Sequence, residues 1–403
     1  MEYNVNLSKY LEFKNGKKRL DSFGVYPLYG GNGKYGTSNN YNTEYSIIIG
    51  RVGAYCGSVY LSESKCWVSD NAISAQLVND EDDLYYFYYL LKMLNLNFYS
   101  VGTSQPLLTQ NILKKLKVDI AGRKDQKIIS SILLNYDKKI ETNNKIIANL
   151  EDQAQALFKY YFIDFEPFAD GNFVDSDLGL IPEGWEVVKL GKILNVLDSK
   201  RIPLSKMERD GMKKNYPYYG ANGIIDYVED YIFDGTYLLM GEDGTVINEY
   251  NRPILNYVNG KIWVNNHAHV LMGKNISTEY LYVLLSQTNI QKIVTGAVQL
   301  KINQTNLKSI RVVKPPEKII DKYENFINYL FKEILTLTKQ NQTLAQARDA
   351  LLPRLMAGEI DLEGLGGSYD WSIIRKRLWR DFYQGNRGFG LPKDWPVHDK
   401  EGV

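Results

Sequence analysis

Residues 102–118 (GTSQPLLTQNILKKLKV) and 296–312 (GAVQLKINQTNLKSIRV) are two versions of one segment, aligning Gln105 with Gln299, Gln110 with Gln304, Leu113 with Leu307 and Lys114 with Lys308. Working outward, 26–33 (YPLYGGNG) returns at 216–223 (YPYYGANG), and 67–72 (WVSDNA) at 263–268 (WVNNHA). The blocks keep their order at offsets of 190 to 196 residues. Ordered self-similarity at a fixed period marks a tandem duplication.

Each copy has two textures. The first part is rich in Tyr, Gly and Asn, with short apolar runs such as 45–49 (YSIII) and 237–240 (YLLM) between turn residues, which predicts a mixed domain with many strands. The second part has almost no Gly or Pro and predicts one long helix. The expected boundaries are a domain at 1–122, a long helix at 123–166, a linker and second domain at 167–316, a second long helix at 317–362, and a tail at 363–403. The fold class is therefore α+β, with two mixed α/β domains separated by two long antiparallel coiled-coil helices in a pseudo-two-fold internal duplication.

The helices carry heptad stripes: Ile129, Leu133, Tyr136, Ile140, Asn143, Ile147, Leu150, Ala154, Leu157 and Tyr161, matched by Tyr323, Ile327, Leu330, Ile334, Leu337, Asn341, Leu344, Arg348, Leu351 and Leu355. The alternative is that each helix packs separately on its own domain. Antiparallel pairing with Asn143 facing Asn341 makes every a position face a d position and brings Arg348 to the Tyr136 face. About 38 helical residues span about 57 Å, the length of about 17 base pairs.

Of 403 residues, 48 are Lys or Arg and 47 Asp or Glu, for a net charge of +1. That balance alone argues mildly against nucleic acid. Residues 164–186, however, hold seven acids and no base, and 80–83 hold four acids, which leaves +12 on the remainder. Two cysteines, Cys56 and Cys66, make no disulfide framework or CxxC pair, and the N-terminus has no leader pattern. A cytoplasmic protein without a membrane partner is expected.

The motifs for chemistry are weak. Gly31–x–Gly33–x–x–Gly36 matches a dinucleotide fingerprint, but no amphipathic helix opens after it. Glu63-Ser64-Lys65 lacks the rest of a nuclease site. His267 and His269 sit two apart, as a metal site on a strand could use, but without a third ligand in recognisable spacing a hydrogen-bonding surface role is expected. No catalytic constellation and no metal site are expected.

Side chains suited to base edges are abundant in turns. The candidates for DNA contact are Lys34, Tyr35, Arg51, Asn71, Ser104 and Gln105 in the first copy, and Asn222, Asn266, His267, Gln299 and Lys301 in the second. Asn143, Asn341, Tyr136 and Arg348 are the candidates for fixing helix register.

Three segments complete the pattern: 156–167 (ALFKYYFIDFEP), 181–191 (IPEGWEVVKLG) and 347–360 (ARDALLPRLMAGEI). With the duplication, they make the chain resemble the specificity subunit of type I restriction-modification systems. The resemblance implies two target-recognition domains that each read half of an asymmetric, bipartite sequence in double-stranded DNA. It implies paired helices that set the spacer and bind two modification (methyltransferase) subunits, with restriction subunits in the full complex. No cofactor is expected on this chain; S-adenosylmethionine, ATP and Mg would sit on the partners. Two other readings are a nuclease or methyltransferase fused to such domains, and a coiled-coil interaction protein without DNA binding. The first copy lacks the Pro182–x–Gly184-Trp185 opening, so its first strand is expected to be trimmed or divergent. The tail contains a basic amphipathic segment, 371–382 (WSIIRKRLWRDF), suited to DNA, a partner or the protein's own surface.

Overall fold

The computed structural model describes residues 1–21, 23–102, 105–296 and 299–362, in two compact units: 1–140 with 343–362, and 141–342. The tail 363–403, with its 371–382 segment, lies outside the described residues.

The first unit contains strands β1 (Glu2–Asn6), β2 (Leu11–Asn15), β3 (Tyr26–Gly30), β4 (Gly33–Ser38), β5 (Ser46–Gly50), β6 (Val59–Ser62), β7 (Trp67–Val68), β8 (Ala72–Leu77) and β9 (Lys117–Ile120). Helices α1 (Leu84–Met93) and α2 (Gln110–Lys115) belong to it as well, and α3 (Arg123–Phe162) begins in it. The second unit opens with the rest of α3 and a hairpin, β10 (Phe173–Ser176) and β11 (Gly179–Pro182). It continues with β12 (Glu186–Lys189), β13 (Leu194–Val196), α4 (Lys206–Asp210), β14 (Tyr216–Gly220), β15 (Gly223–Val228), β16 (Phe233–Gly241), β17 (Leu255–Val264), β18 (Ala268–Gly273), α5 (Thr278–Gln287), α6 (Gln304–Ser309), β19 (Arg311–Lys314) and α7 (Glu317–Met356).

The duplication extends to topology. In one copy β3 runs parallel to β7 through Leu28 and Trp67; in the other β14 runs parallel to β17 through Tyr218 and Trp263. The N-caps match by role rather than identity. Asp83 and Thr109 accept from the backbone of α1 and α2, as Ser277 and Asn303 do for α5 and α6. The copies differ at one join. β17 is a continuous ten-residue strand that ties its neighbours into a six-stranded sheet, β13-β18-β16-β17-β14-β15. In the first copy Glu63-Ser64-Lys65-Cys66 separate β6 from β7, leaving a four-stranded sheet, β2-β8-β5-β6, beside a three-stranded one, β4-β3-β7.

The first strand of the first copy is divergent rather than trimmed: β1 pairs antiparallel with β9 as β12 pairs with β19, but its register shifts between Glu2 and Val5, whereas β12 pairs residue for residue. Strand pairing uses backbone groups, so it survives without the Pro–x–Gly–Trp motif. In the second copy that motif serves packing instead. Trp185 is buried against Phe162, Phe165 and Phe168, with ring centroids 5.0 to 5.9 Å away.

The two 40-residue helices α3 and α7 run antiparallel. In the second unit Asn143 donates to Asn341 Oδ1 and Gln340 Oε1, both at 2.8 Å, and Asn341 donates to Asn144 at 2.8 Å. Further along the same seam Tyr323 donates to the Ala154 carbonyl at 3.1 Å, and its ring lies 6.3 Å from that of Tyr161. In the first unit Leu133 and Leu351 share one core, with Tyr136 at its margin. Arg348, expected on the Tyr136 face, binds the carboxylate of the next residue, Asp137, which also accepts from Tyr89. Burial and this hydrogen bond push the Tyr89 hydroxyl far above its ordinary range.

Asn143 is fully buried and its Oδ1 has no partner among the described residues, so the polar layer costs stability while fixing alignment. Asn341→Leu removes one acceptor of Asn143 and should destabilise by about 1–3 kcal/mol. The Asn143→Leu, Asn341→Leu double variant should recover wild-type stability or exceed it; urea unfolding compares them.

Candidate nucleic-acid interface

In the first unit, three loops meet where the buried strand β5 ends. The Arg51 N–H donates to the Asn71 carbonyl at 3.0 Å, and the Arg51 carbonyl accepts from Leu108 at 2.8 Å. Gly53 donates to the Pro106 carbonyl at 3.1 Å. Gly50 is obligatory here, because a Cβ on it would stand 2.3 Å from the Tyr55 carbonyl oxygen. The turn carrying Asn32 and Lys34 joins this cluster, since a Cβ on Gly31 would lie 3.2 Å from the Asn71 carbonyl oxygen. The second unit repeats each bond. Glu242 donates to the His267 carbonyl at 2.8 Å, Ile302 to the Glu242 carbonyl at 2.8 Å, and Gly244 to the Leu300 carbonyl at 3.0 Å. Both copies therefore hold the same three-loop cluster on backbone bonds, leaving side chains free to diverge.

In the first cluster Lys34, Asn71 and Gln105 are exposed and Arg51 is half-buried. Ser104 lies outside the described residues. Tyr35 is half-buried, with the Arg19 guanidinium 4.5 Å above its ring. In the second cluster Asn222, Asn266, His267, Gln299 and Lys301 are all exposed. His267 contacts the Asp243 carboxylate at 2.9 Å, and Lys301 lies 3.6 Å from Glu242.

Sequence reading missed the loop after β2. Lys17, Lys18 and Arg19 are exposed, and the Trp67 indole N–H holds their backbone by donating to the Lys18 carbonyl at 3.2 Å. Trp263 holds Ile202 in the same way at 2.6 Å. The recurrence of both tryptophans was visible in the sequence. Their acceptors, 49 and 61 residues away, follow no motif.

The paired histidines do not act together. His267 is on the surface, whereas His269, expected there too, is 1% exposed on β18. Its Nδ1 faces Asp198 Oδ2 at 2.6 Å and its Nε2 faces the Ile302 carbonyl at 2.8 Å, an arrangement satisfied when both nitrogens donate. Asp198 also accepts from Val270 N–H at 2.9 Å and Gln304 at 2.7 Å. Ligand atoms of Asp198, Glu242 and His269 come within 4.8 Å of one another, as a cation site could use. Arg201 already binds this pair of carboxylates, 2.8 Å from Glu242 and 3.5 Å from Asp198, so the buried charges balance through side chains.

Burial would push the Asp198 carboxyl up, but the His269 hydrogen bond and charge, the Val270 N–H and Arg201 outweigh it and hold the group below the ordinary 3.8. A depressed carboxylate stabilises the fold above its unfolded pKa and loses that contribution as pH falls. Asp198→Asn should therefore melt several degrees below wild type at pH 7, and the gap should narrow as the pH drops below 3.8. Thermal melts across pH check this.

Comparison with known proteins places this geometry. The family model described as the type I restriction modification DNA specificity domain matches residues 10–152 and 182–346. The MjaIX type I restriction enzyme specificity subunit of Methanocaldococcus jannaschii is 29% identical over 305 residues, covering 70% of each chain. The MjaVIII specificity subunit of the same organism is 24% identical over 347 residues, covering 80% of each. The crystal structure of a type I restriction-modification S subunit from M. genitalium shares the fold, with a TM-score of 0.53 at 18% identity, over 87% of this chain and 95% of that one. Among the described residues, no helix is long and apolar enough to cross a membrane.

Proposed function

The chain belongs to the family of type I restriction-modification specificity subunits, and from that premise we propose that it reads a bipartite, asymmetric sequence in double-stranded DNA and scaffolds the subunits that act there. The observation that carries this reading is the loop cluster built twice on the same backbone bonds, with different side chains in each copy. Shared backbone gives both clusters one way of presenting side chains, and unlike side chains give each its own half-site. Arg, Lys, Asn and Gln at the loop tips are the residue types that discriminate base edges. The exposed Lys17, Lys18, Arg19 and Lys34 suit phosphates, which fix register without carrying sequence information.

In this reading the chain carries out no chemistry. Two modification subunits bring S-adenosylmethionine and methylate adenine; restriction subunits bring ATP and Mg for translocation and cleavage. The complex works on the chromosome in the cytoplasm. α3 and α7 serve as the spacer that holds the distance between the half-sites.

Coexpression with its modification subunits in a methylation-free host, followed by methylome sequencing, tests the proposal. Adenine methylation at one bipartite motif, dependent on both this chain and the modification subunits, is the expected result. No motif with the full set of partners, or methylation by this chain alone, would overturn it.

A further inference from the structure

We infer that Arg51 reads a guanine in the half-site of the first unit, and that the second unit reads its half-site without an equivalent arginine. The inference rests on the DNA-reading role proposed above. Arg51 is held on both sides by its backbone bonds to Asn71 and Leu108, immediately after a strand whose every residue is buried. Its Cα is therefore fixed at the centre of the cluster, and only the side chain has freedom.

That side chain has no partner among the described residues. Among the described residues no hydrogen bond or ion pair reaches the guanidinium, and Nε is buried without an acceptor there. Nε is closed off from any ligand, so the two Nη groups, which are neither buried nor bonded among the described residues, are the donors left for one. The planar guanidinium fork suits two acceptors side by side, which in the major groove are guanine O6 and N7. Its flanking residues, Asn71 and Gln105, are uncharged amides, whereas the exposed Lys17, Lys18 and Lys34 already provide flexible charge for phosphates. A half-buried, rigidly mounted arginine suits a base edge better than a phosphate.

The second unit shows the contrast. The matching backbone position is occupied by Glu242, whose carboxylate is bound by Arg201 at 2.8 Å, with Lys301 at 3.6 Å and His269 at 3.7 Å. Its charges are engaged internally, so readout there falls to amide and imidazole side chains such as Asn266, His267 and Gln299.

The test is the methylome of the complete complex carrying Arg51→Gln or Arg51→Lys. The wild-type motif should contain a G·C pair in one half that becomes degenerate in both variants, while the other half is unchanged. A wild-type motif lacking G·C in both halves, or a variant motif identical to wild type with only a uniform loss of methylation, would overturn the inference; the latter is the outcome for a phosphate contact. If Arg51→Gln abolishes methylation, the wild-type complex decides. Placing 7-deazaguanine at that position should weaken binding roughly ten- to hundredfold, and unchanged binding would overturn the inference. Absence of any wild-type motif would instead contradict the DNA-reading role itself.

Discussion

The backbone of the residue that follows the central buried strand is satisfied from two different loops at once. Arg51 donates to Asn71 and accepts from Leu108; Glu242 donates to the His267 carbonyl and accepts from Ile302. Backbone polar groups at the edge of a core must be paired, so this constraint binds three loops whatever their side chains are. The sheets behind it, the glycine that lets β5 turn, and the caps on the short helices all hold that junction in place. Side chains at the junction can then vary while these backbone bonds are kept.

The two copies use that freedom in opposite ways. The second encloses Asp198, Arg201, Glu242 and His269 in a network where each charge meets another, which removes these charges from the proposed readout surface. The first has no such network around Arg51, and its guanidinium stays unengaged among the described residues. A duplicated scaffold with unlike electrostatics is what recognition of an asymmetric sequence requires. The near-neutral net charge hid this difference, since basic loops and acidic segments cancel in the sum.

The helices and the duplication were legible because they are periodic. Heptad spacing locates the α3 and α7 stripes, and the two Asn interruptions leave few registers open. The site was legible only in part. Lys34, Asn71, Gln299 and Lys301 stand in recurring turns and are exposed as turns predict. The equivalence of Arg51 and Glu242 was legible only through their neighbours, since Gly50 and Gly53 recur as Gly241 and Gly244 while the residues themselves differ in charge. The burial of His269 depends on Asp198, 71 residues away, a distance that no local pattern encodes. The divergence of β1 was legible in its missing motif, but the survival of its pairing with β9 was not, because pairing uses backbone groups.

The most direct measurement is a cryo-electron microscopy structure of the complete complex on a duplex carrying its own methylation motif. The account predicts that base edges in one half-site meet the cluster of Arg51, Asn71 and Gln105, and in the other the cluster of Asn266, His267 and Gln299. Base contacts made by the β10–β11 hairpin or by α3 and α7, with both loop clusters facing solvent, would contradict it.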